Sequence, residues 1–327
     1  MSSNHQITTP VLLLIFNRPD LTLKVFNAIR EVQPSILFVA ADGPRGNISD
    51  DISKCEETRK IVKKIDWDCD LKTLFRDENL GCRLAVSAAI DWFFEHIDAG
   101  IILEDDCFPS RSFFRFCQEL LAKYRYDERI MQISGTNYLF EPRRTDYSYY
   151  FSKLNGVTGW ATWRRAWKCI DSQMVTFAEF KQKKMINDYI NDQEISDWIM
   201  SYLEEASKPD CGIWSTRWLY AIIVRNGLTI NPIVNLVEHI GVGKEVTNTQ
   251  PESAIIYSKM GHHELGNMKH PPFVLPDNEA DELSFQTVRK IDPRLADKKD
   301  ANVFDELWTM TVEVGKTIKS LFGKVPA

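Results

Sequence analysis

Short apolar runs alternate with helically spaced segments through the first half of the chain. PVLLLIF (10–16), SILFVAADG (35–43), DLKTLF (70–75) and GIIL (100–103) read as strands. Except in DLKTLF, their nearly unbroken apolar character is that of strands covered on both faces. Between them, Pro19 to about Glu31, residues 50–66 and residues 80–95 carry the three-to-four-residue spacing of helices, with Pro19 in a first turn. Ser110 is placed to cap a further amphipathic helix, FFRFCQELLAKY. From about residue 130 the alternation weakens. IMQISG (130–135) predicts another strand, and Tyr147, Tyr149, Tyr150 and Phe151 an aromatic edge strand. A helical region is expected over about 161–226, broken near Pro209, followed by strand over 228–241. Residues 243–300 read as loops, and Phe304, Leu307, Trp308, Ile318 and Phe322 give 302–323 helical spacing.

Strand–helix alternation of this kind predicts an α/β fold: a mixed, mainly parallel sheet flanked by helices, with a C-terminal helical extension. The expected organisation is a catalytic domain over 1–250, with a nucleotide-binding half at about 8–135 and an acceptor half at about 136–250. A loop-rich segment (251–300) and an amphipathic helix (301–327) follow. No internal repeat or low-complexity tract interrupts this plan.

Composition narrows the function classes. The 327 residues carry a net charge of -6, which argues against a general nucleic-acid binder, and 44% hydrophobic content allows a sizeable core. No run approaches the ~20 apolar residues of a membrane span, and the polar start MSSNHQITTP lacks the basic leader and long apolar run of a signal peptide. The expected location is therefore the cytoplasm. Seven cysteines, an odd number with no CxxC pair, read as reduced thiols rather than a zinc site.

In open parallel sheets ligands bind beyond the carboxyl ends of the strands. Those ends carry Asn17–Arg18, Asp42–Gly43–Pro44–Arg45, Arg76–Asp77 and the triplet Glu104–Asp105–Asp106. Three consecutive acids need a positive partner if they are buried. One reading is a surface loop before a helix, where negative charge favours the helix start. The other is a hard divalent cation, Mn²⁺ or Mg²⁺, held by one or two carboxylates and by substrate phosphates. The remaining ends suit a nucleotide. Arg18 stands beside a helix N-terminus, where phosphate binds. Asp42 is placed either to shape its Ala-Asp-Gly-Pro turn or to meet ribose or base. Asn79–Leu–Gly–Cys–Arg83 opens a helix from which Arg83 reaches toward a diphosphate or a surface ion pair. Neither GxGxxG nor GxxxxGK[ST] is present.

FNRP, ADGPR, ENLGCRLAVSAAIDWFF and ILEDDCFPS, in that order, resemble GT-A-fold glycosyltransferases, most nearly the bacterial relatives of N-acetylglucosaminyltransferase I. The resemblance covers roughly residues 10–250. It implies a DxD-type motif whose last acid, Asp106, holds Mn²⁺ against the diphosphate of a nucleotide sugar. Glu104 and Asp105 would line the sugar or ribose side. It also implies a Gly-Trp segment, Gly159–Trp160, approaching the transferred sugar; Trp163, Trp167, Trp214 and Trp218 read as packing residues. Two positions depart from the family. Ser215 and Thr216 stand where relatives often carry an acid between tryptophans, and Asn248 where they often carry a histidine. Asp210 is then the candidate base, with Asp192, Glu194 and Asp197 as competitors, and His239 an alternative metal ligand.

The expected activity is transfer of a sugar, from a UDP-linked or similar donor, to a saccharide or lipid-linked acceptor in surface-polysaccharide assembly. Two other functions fit the same sheet: a sugar-phosphate nucleotidyltransferase, which normally has a Gly- and Lys/Arg-rich loop after its first strand, and a non-catalytic nucleotide-sugar binding module. The C-terminal helix, with Lys316, Lys319 and Lys324 near its end, is expected to dock on the body or a second copy, or to lie on an anionic membrane surface.

Overall fold

β1 (Val11–Ile15) is the axis of the molecule. Val11, Leu13 and Ile15 pack into one core layer and Leu12 and Leu14 into another, so both faces of the strand are buried. This is the period-two alternation of a strand with helices above and below. In the computed structural model, which describes residues 7–139, 145–241 and 260–289, β1 pairs in parallel with β2 (Ile36–Ala41) and β4 (Ala99–Glu104), and β2 with β3 (Asp70–Phe75). The crossovers run through α1 (Pro19–Val32), α2 (Asp51–Arg59) with a 3₁₀ turn (Lys60–Lys64), and α3 (Gly81–His96). Pro19 starts α1, and the Ser110 hydroxyl accepts from the Phe113 amide to start α4 (Arg111–Lys123). Both helix starts follow from local sequence.

The sheet has eight strands in the order β3-β2-β1-β4-β8-β6-β9-β7. β6 is Ile130–Ser134, β7 Tyr149–Ser152, β8 Trp160–Trp163 and β9 Leu228–Pro232. β8 runs antiparallel to β4 and β6, and β7 antiparallel to β9; the others are parallel to β1. The architecture is a mixed, mainly parallel α/β sheet flanked by helices, consistent with a GT-A or Rossmann-like fold. Strands from both sides of residue 135 share this one sheet. The strand order reverses between β1 and β4, so the crevice at their carboxyl ends is a topological switch point.

Several sequence expectations change. Trp160–Trp163, expected within a helical region, is a buried central strand flanked by β4 and β6. Helices follow it: α5 (Arg164–Trp167), α6 (Phe177–Gln182), α7 (Ile186–Tyr189), α8 (Gln193–Ala206) and α9 (Ser215–Val224). The apolar stretch 228–241 divides into β9 and β10 (Val237–His239). β10 leaves the main sheet to pair antiparallel with the short β5 (Cys107–Pro109). Within the segment expected to be loops, Asn278–Arg289 forms a helix, α10, whose Phe285 is buried against Trp198 of α8. Asn248 and the 301–327 helix lie outside the described residues. Among the described residues, no helix is long and apolar enough to cross a membrane. All seven cysteines are free thiols.

Candidate active site

A cavity of about 620 Å³ opens at the carboxyl ends of β1, β2 and β4. Its walls include Arg18, Arg45, Arg76, Asp42 and the triplet Glu104, Asp105 and Asp106. Each charged strand end named from the sequence therefore supplies at least one residue to a single pocket, as expected at a switch point.

Arg18 and the triplet form its electrostatic centre. The Arg18 guanidinium binds Asp105 through Nε and Nη2, and Nη1 lies 2.9 Å from Asp106 Oδ2. These side chains are 18%, 4% and 13% exposed, so the pairs are shielded from solvent. Burial works against the charge on Arg18, but Asp105 and Asp106 together outweigh it and raise its pKa above the usual arginine value. Burial pushes Glu104 above the ordinary carboxylate range, and the charges of Asp106 and Asp105 push it further. Burial also raises Asp105, with Arg18 pulling it back. The positive partner that three acids demand is thus supplied in part by the protein itself.

The elevated Glu104 sets a pH dependence. A carboxyl whose pKa rises on folding stabilises the native state below its unfolded value, and that contribution is lost as pH rises through the folded value. The wild-type protein is therefore expected to lose stability from the ordinary Glu range upward. Glu104→Gln, which cannot ionise, is expected to lose less, so the gap between the two widens with pH. Urea unfolding at about pH 5 and about pH 8.5 reads this directly, and parallel profiles would contradict it.

Asp106 is the acid best placed to face a ligand. Its carbonyl accepts from the Ile240 amide at 2.8 Å, which draws β10 against β5 and sets His239 and Gly241 on either side. His239 Nε2 lies 3.7 Å from Asp106 Oδ2. A Cβ added to Gly241 would stand 2.5 Å from that same oxygen, so only glycine leaves room for the carboxylate. Among the described residues, no three His, Cys, Asp or Glu side chains are grouped to hold an ion. A carboxylate oxygen and an imidazole nitrogen at this separation fit two positions in one divalent ion's shell, the nitrogen favouring Mn²⁺ over Mg²⁺, with phosphate and water completing it.

Other sequence-predicted residues stand elsewhere or are spent. Asn17 is not in the cavity wall; its amide donates to Asp51 Oδ1 at 2.7 Å, beside the Arg45 guanidinium. Arg45 holds the Asp51 carboxyl down to about 2, so this group secures the start of α2. Asp42 lines the cavity, but its two oxygens accept from the Gly43, Leu80 and Gly81 amides and the Asn79 side chain at 3.0–3.1 Å. These contacts fix the N-terminus of α3. Arg83 points away, 3.4 Å from the Pro209 carbonyl. Trp160 is 1% exposed and takes no part in the wall. Its ring stacks on Trp214 at 5.7 Å and 25°, and Trp214 lines the cavity, as does Trp198 of α8. Asp210 is exposed in the turn before α9, outside the cavity wall. Asp192 caps α8, Glu194 pairs with Arg289 and Asp197 accepts from Gln193. Ser215 and Thr216 do line the cavity.

Gly241 joins the site without a local signal. It is brought there by a long-range strand contact that no spacing rule reports.

No family model and no curated protein matches the chain. Among solved structures, the chain is similar to HddC from Yersinia pseudotuberculosis, with 8% identity and a TM-score of 0.30 over 48% of this chain and 78% of that one. It is also similar to mouse xyloside xylosyltransferase 1 in its apo form, with 9% identity and a TM-score of 0.33 over 65% of this chain and 80% of that one. Both likenesses are too distant to bear on function.

Proposed function

We propose that the chain is a metal-dependent glycosyltransferase using a nucleotide-diphosphate sugar, with UDP as the nucleotide of first choice. The observation that carries this reading is the placement of Asp106: at the switch point, on the cavity wall, with His239 3.7 Å away and Gly241 clearing its carboxylate. Asp106 and His239 would hold Mn²⁺. Such an ion, when bound, offsets charge growing on a departing diphosphate. Arg18 anchors Asp105 and orients Asp106, so the carboxylate is set before ligand arrives. Arg76 supplies further positive charge to the same wall.

A nucleotidyltransferase has less support. Only Phe16, Asn17 and Arg18 separate β1 from α1, and Arg18 is committed to the acids. Incubating the protein with a panel of UDP-sugars and Mn²⁺ tests the reading, with slow release of UDP expected. Pyrophosphate release from UTP and a sugar phosphate would support the nucleotidyltransferase instead, and binding without either reaction a non-catalytic module.

Gly241→Ala is expected to raise the Mn²⁺ concentration needed for half-maximal activity about tenfold, because its methyl group would displace the Asp106 carboxylate. An unchanged metal dependence in a folded variant would remove Gly241 from the account.

A further inference from the structure

The carboxylate oxygen best placed for an ion already holds a cation of the protein. Asp106 Oδ2 lies 3.7 Å from His239 Nε2 and beside the space that Gly241 leaves open, and the Arg18 guanidinium reaches the same atom, with Nη1 at 2.9 Å. The guanidinium divides its donors unequally. Nε and Nη2 both serve the deeply buried Asp105, while only Nη1 serves Asp106. Among the described residues, no other lysine or arginine pairs with either acid.

The segment carrying Arg18 is held firmly. The Asn17 side chain donates to Asp51 Oδ1 at 2.7 Å, and the Arg18 carbonyl accepts from the Thr22 amide at 2.9 Å in the first turn of α1. With the backbone fixed and Asp105 gripped by two prongs, the single contact to Asp106 is the one exchanged at least cost. Charge decides what replaces it. One guanidinium faces two carboxylates, so the group lacks one positive charge. A divalent ion at Asp106 would turn that lack into an excess, in a place shielded from water where unmatched charge is costly. It would also crowd a guanidinium bound to the same oxygen. A diphosphate arriving with the ion removes both obstacles, because it brings the matching negative charge and acceptors for Arg18.

We propose that Arg18 is the resident counter-ion of Asp106 and competes with the divalent ion for that carboxylate oxygen, so that the ion is admitted together with a nucleotide diphosphate and not before it. The proposal rests on the metal and nucleotide-sugar reading and adds the residue that sets the order of binding. Arg18 acts through Asp106 and is a positioning residue. A purely structural role has the opposite sign: loss of Arg18 would leave Asp106 poorly placed and weaken metal binding. Under competition, the ion binds more tightly once Arg18 is gone.

Electron paramagnetic resonance follows Mn²⁺ binding to the full chain, first with the metal alone and then with UDP. In Arg18→Gln, Mn²⁺ alone is expected to bind about tenfold more tightly than in wild type, and the gain is expected to vanish when Asp106→Asn is added. The factor by which UDP tightens Mn²⁺ binding is expected to shrink correspondingly. Arg18→Lys keeps a charge but lacks the fork that reaches both acids, so its affinity for Mn²⁺ alone is expected between the two. Thermal melting shows which variants fold, and if Arg18→Gln does not, Arg18→Lys decides by the same criterion. An affinity for Mn²⁺ alone equal to or below that of wild type in the folded variants overturns the proposal; UDP-dependent binding by wild type would then leave the metal reading intact. A gain that persists without the Asp106 carboxylate also overturns it, as does a failure of every protein to bind Mn²⁺ with or without UDP. A gain through Asp106 with no effect of UDP in any protein would keep the competition and overturn both the order of binding and the nucleotide reading.

Discussion

Asp106→Asn is expected to lower metal-dependent turnover of a UDP-sugar about 10³-fold while leaving the fold intact. The amide keeps the shape of the side chain but removes the negative charge that an ion requires. It sits in the turn between β4 and β5, where the Ile240 amide binds the carbonyl of residue 106 and not its side chain, so the backbone geometry survives the change. Losing charge stabilisation of a leaving diphosphate is worth several kcal/mol, of the order that the rate loss represents. Arg18 would keep its contacts with Asp105, which limits the structural cost. Circular dichroism and the unfolding midpoint check the fold, and steady-state rates at saturating Mn²⁺ check the chemistry. Turnover within about tenfold of wild type would show that Asp106 does not serve the reaction.

Arg18→Ala carries the largest expected effect on stability. Asp105 and Asp106 both lean on this guanidinium, and Asp105 is 4% exposed. Removing one partner of a buried ion pair strands the other charge, at a cost of about 3–5 kcal/mol. The sign of its pH dependence follows from Asp105. Without Arg18 its pKa rises further above the ordinary carboxylate value, so the variant is least stable above that range and recovers relative to wild type as the acids protonate. Urea unfolding of both proteins across that interval gives the result. A constant difference at all pH values would mean that Arg18 acts through packing alone. Arg18→Lys is expected to fall between the two, because an ammonium keeps the charge but loses the two-pronged contact.

The sheet was legible because its strands announce themselves. Continuous apolar runs bounded by charged turns can be little else in a chain of this size, and their carboxyl ends locate the cavity without further information. Local chemistry was legible too: Pro19 and Ser110 start helices for reasons contained in their own neighbourhoods. What misled was side-chain direction. Asp42 has the composition of a ligand contact, yet its oxygens are consumed by the start of α3, thirty-eight residues along the chain. Trp160 has the look of a sugar platform, but an antiparallel strand between β4 and β6 turns its ring into the core and leaves Trp214 at the surface of the cavity. Helical periodicity over 161–226 masked that strand, because tryptophans spaced by three suit either structure. Gly241 was silent: it is needed for a close approach to Asp106 that only the fold creates.

The central claim is that the carboxylate of Asp106 helps to hold a divalent ion against a nucleotide diphosphate. Electron paramagnetic resonance of Mn²⁺ titrated into the protein with UDP present tests it most directly, because bound and free manganese give distinct signals. The account predicts a single site in the wild-type protein that requires both UDP and Asp106, with affinity at least about 100-fold weaker in Asp106→Asn. Equal manganese affinity in the two proteins, or a site indifferent to UDP, would contradict it.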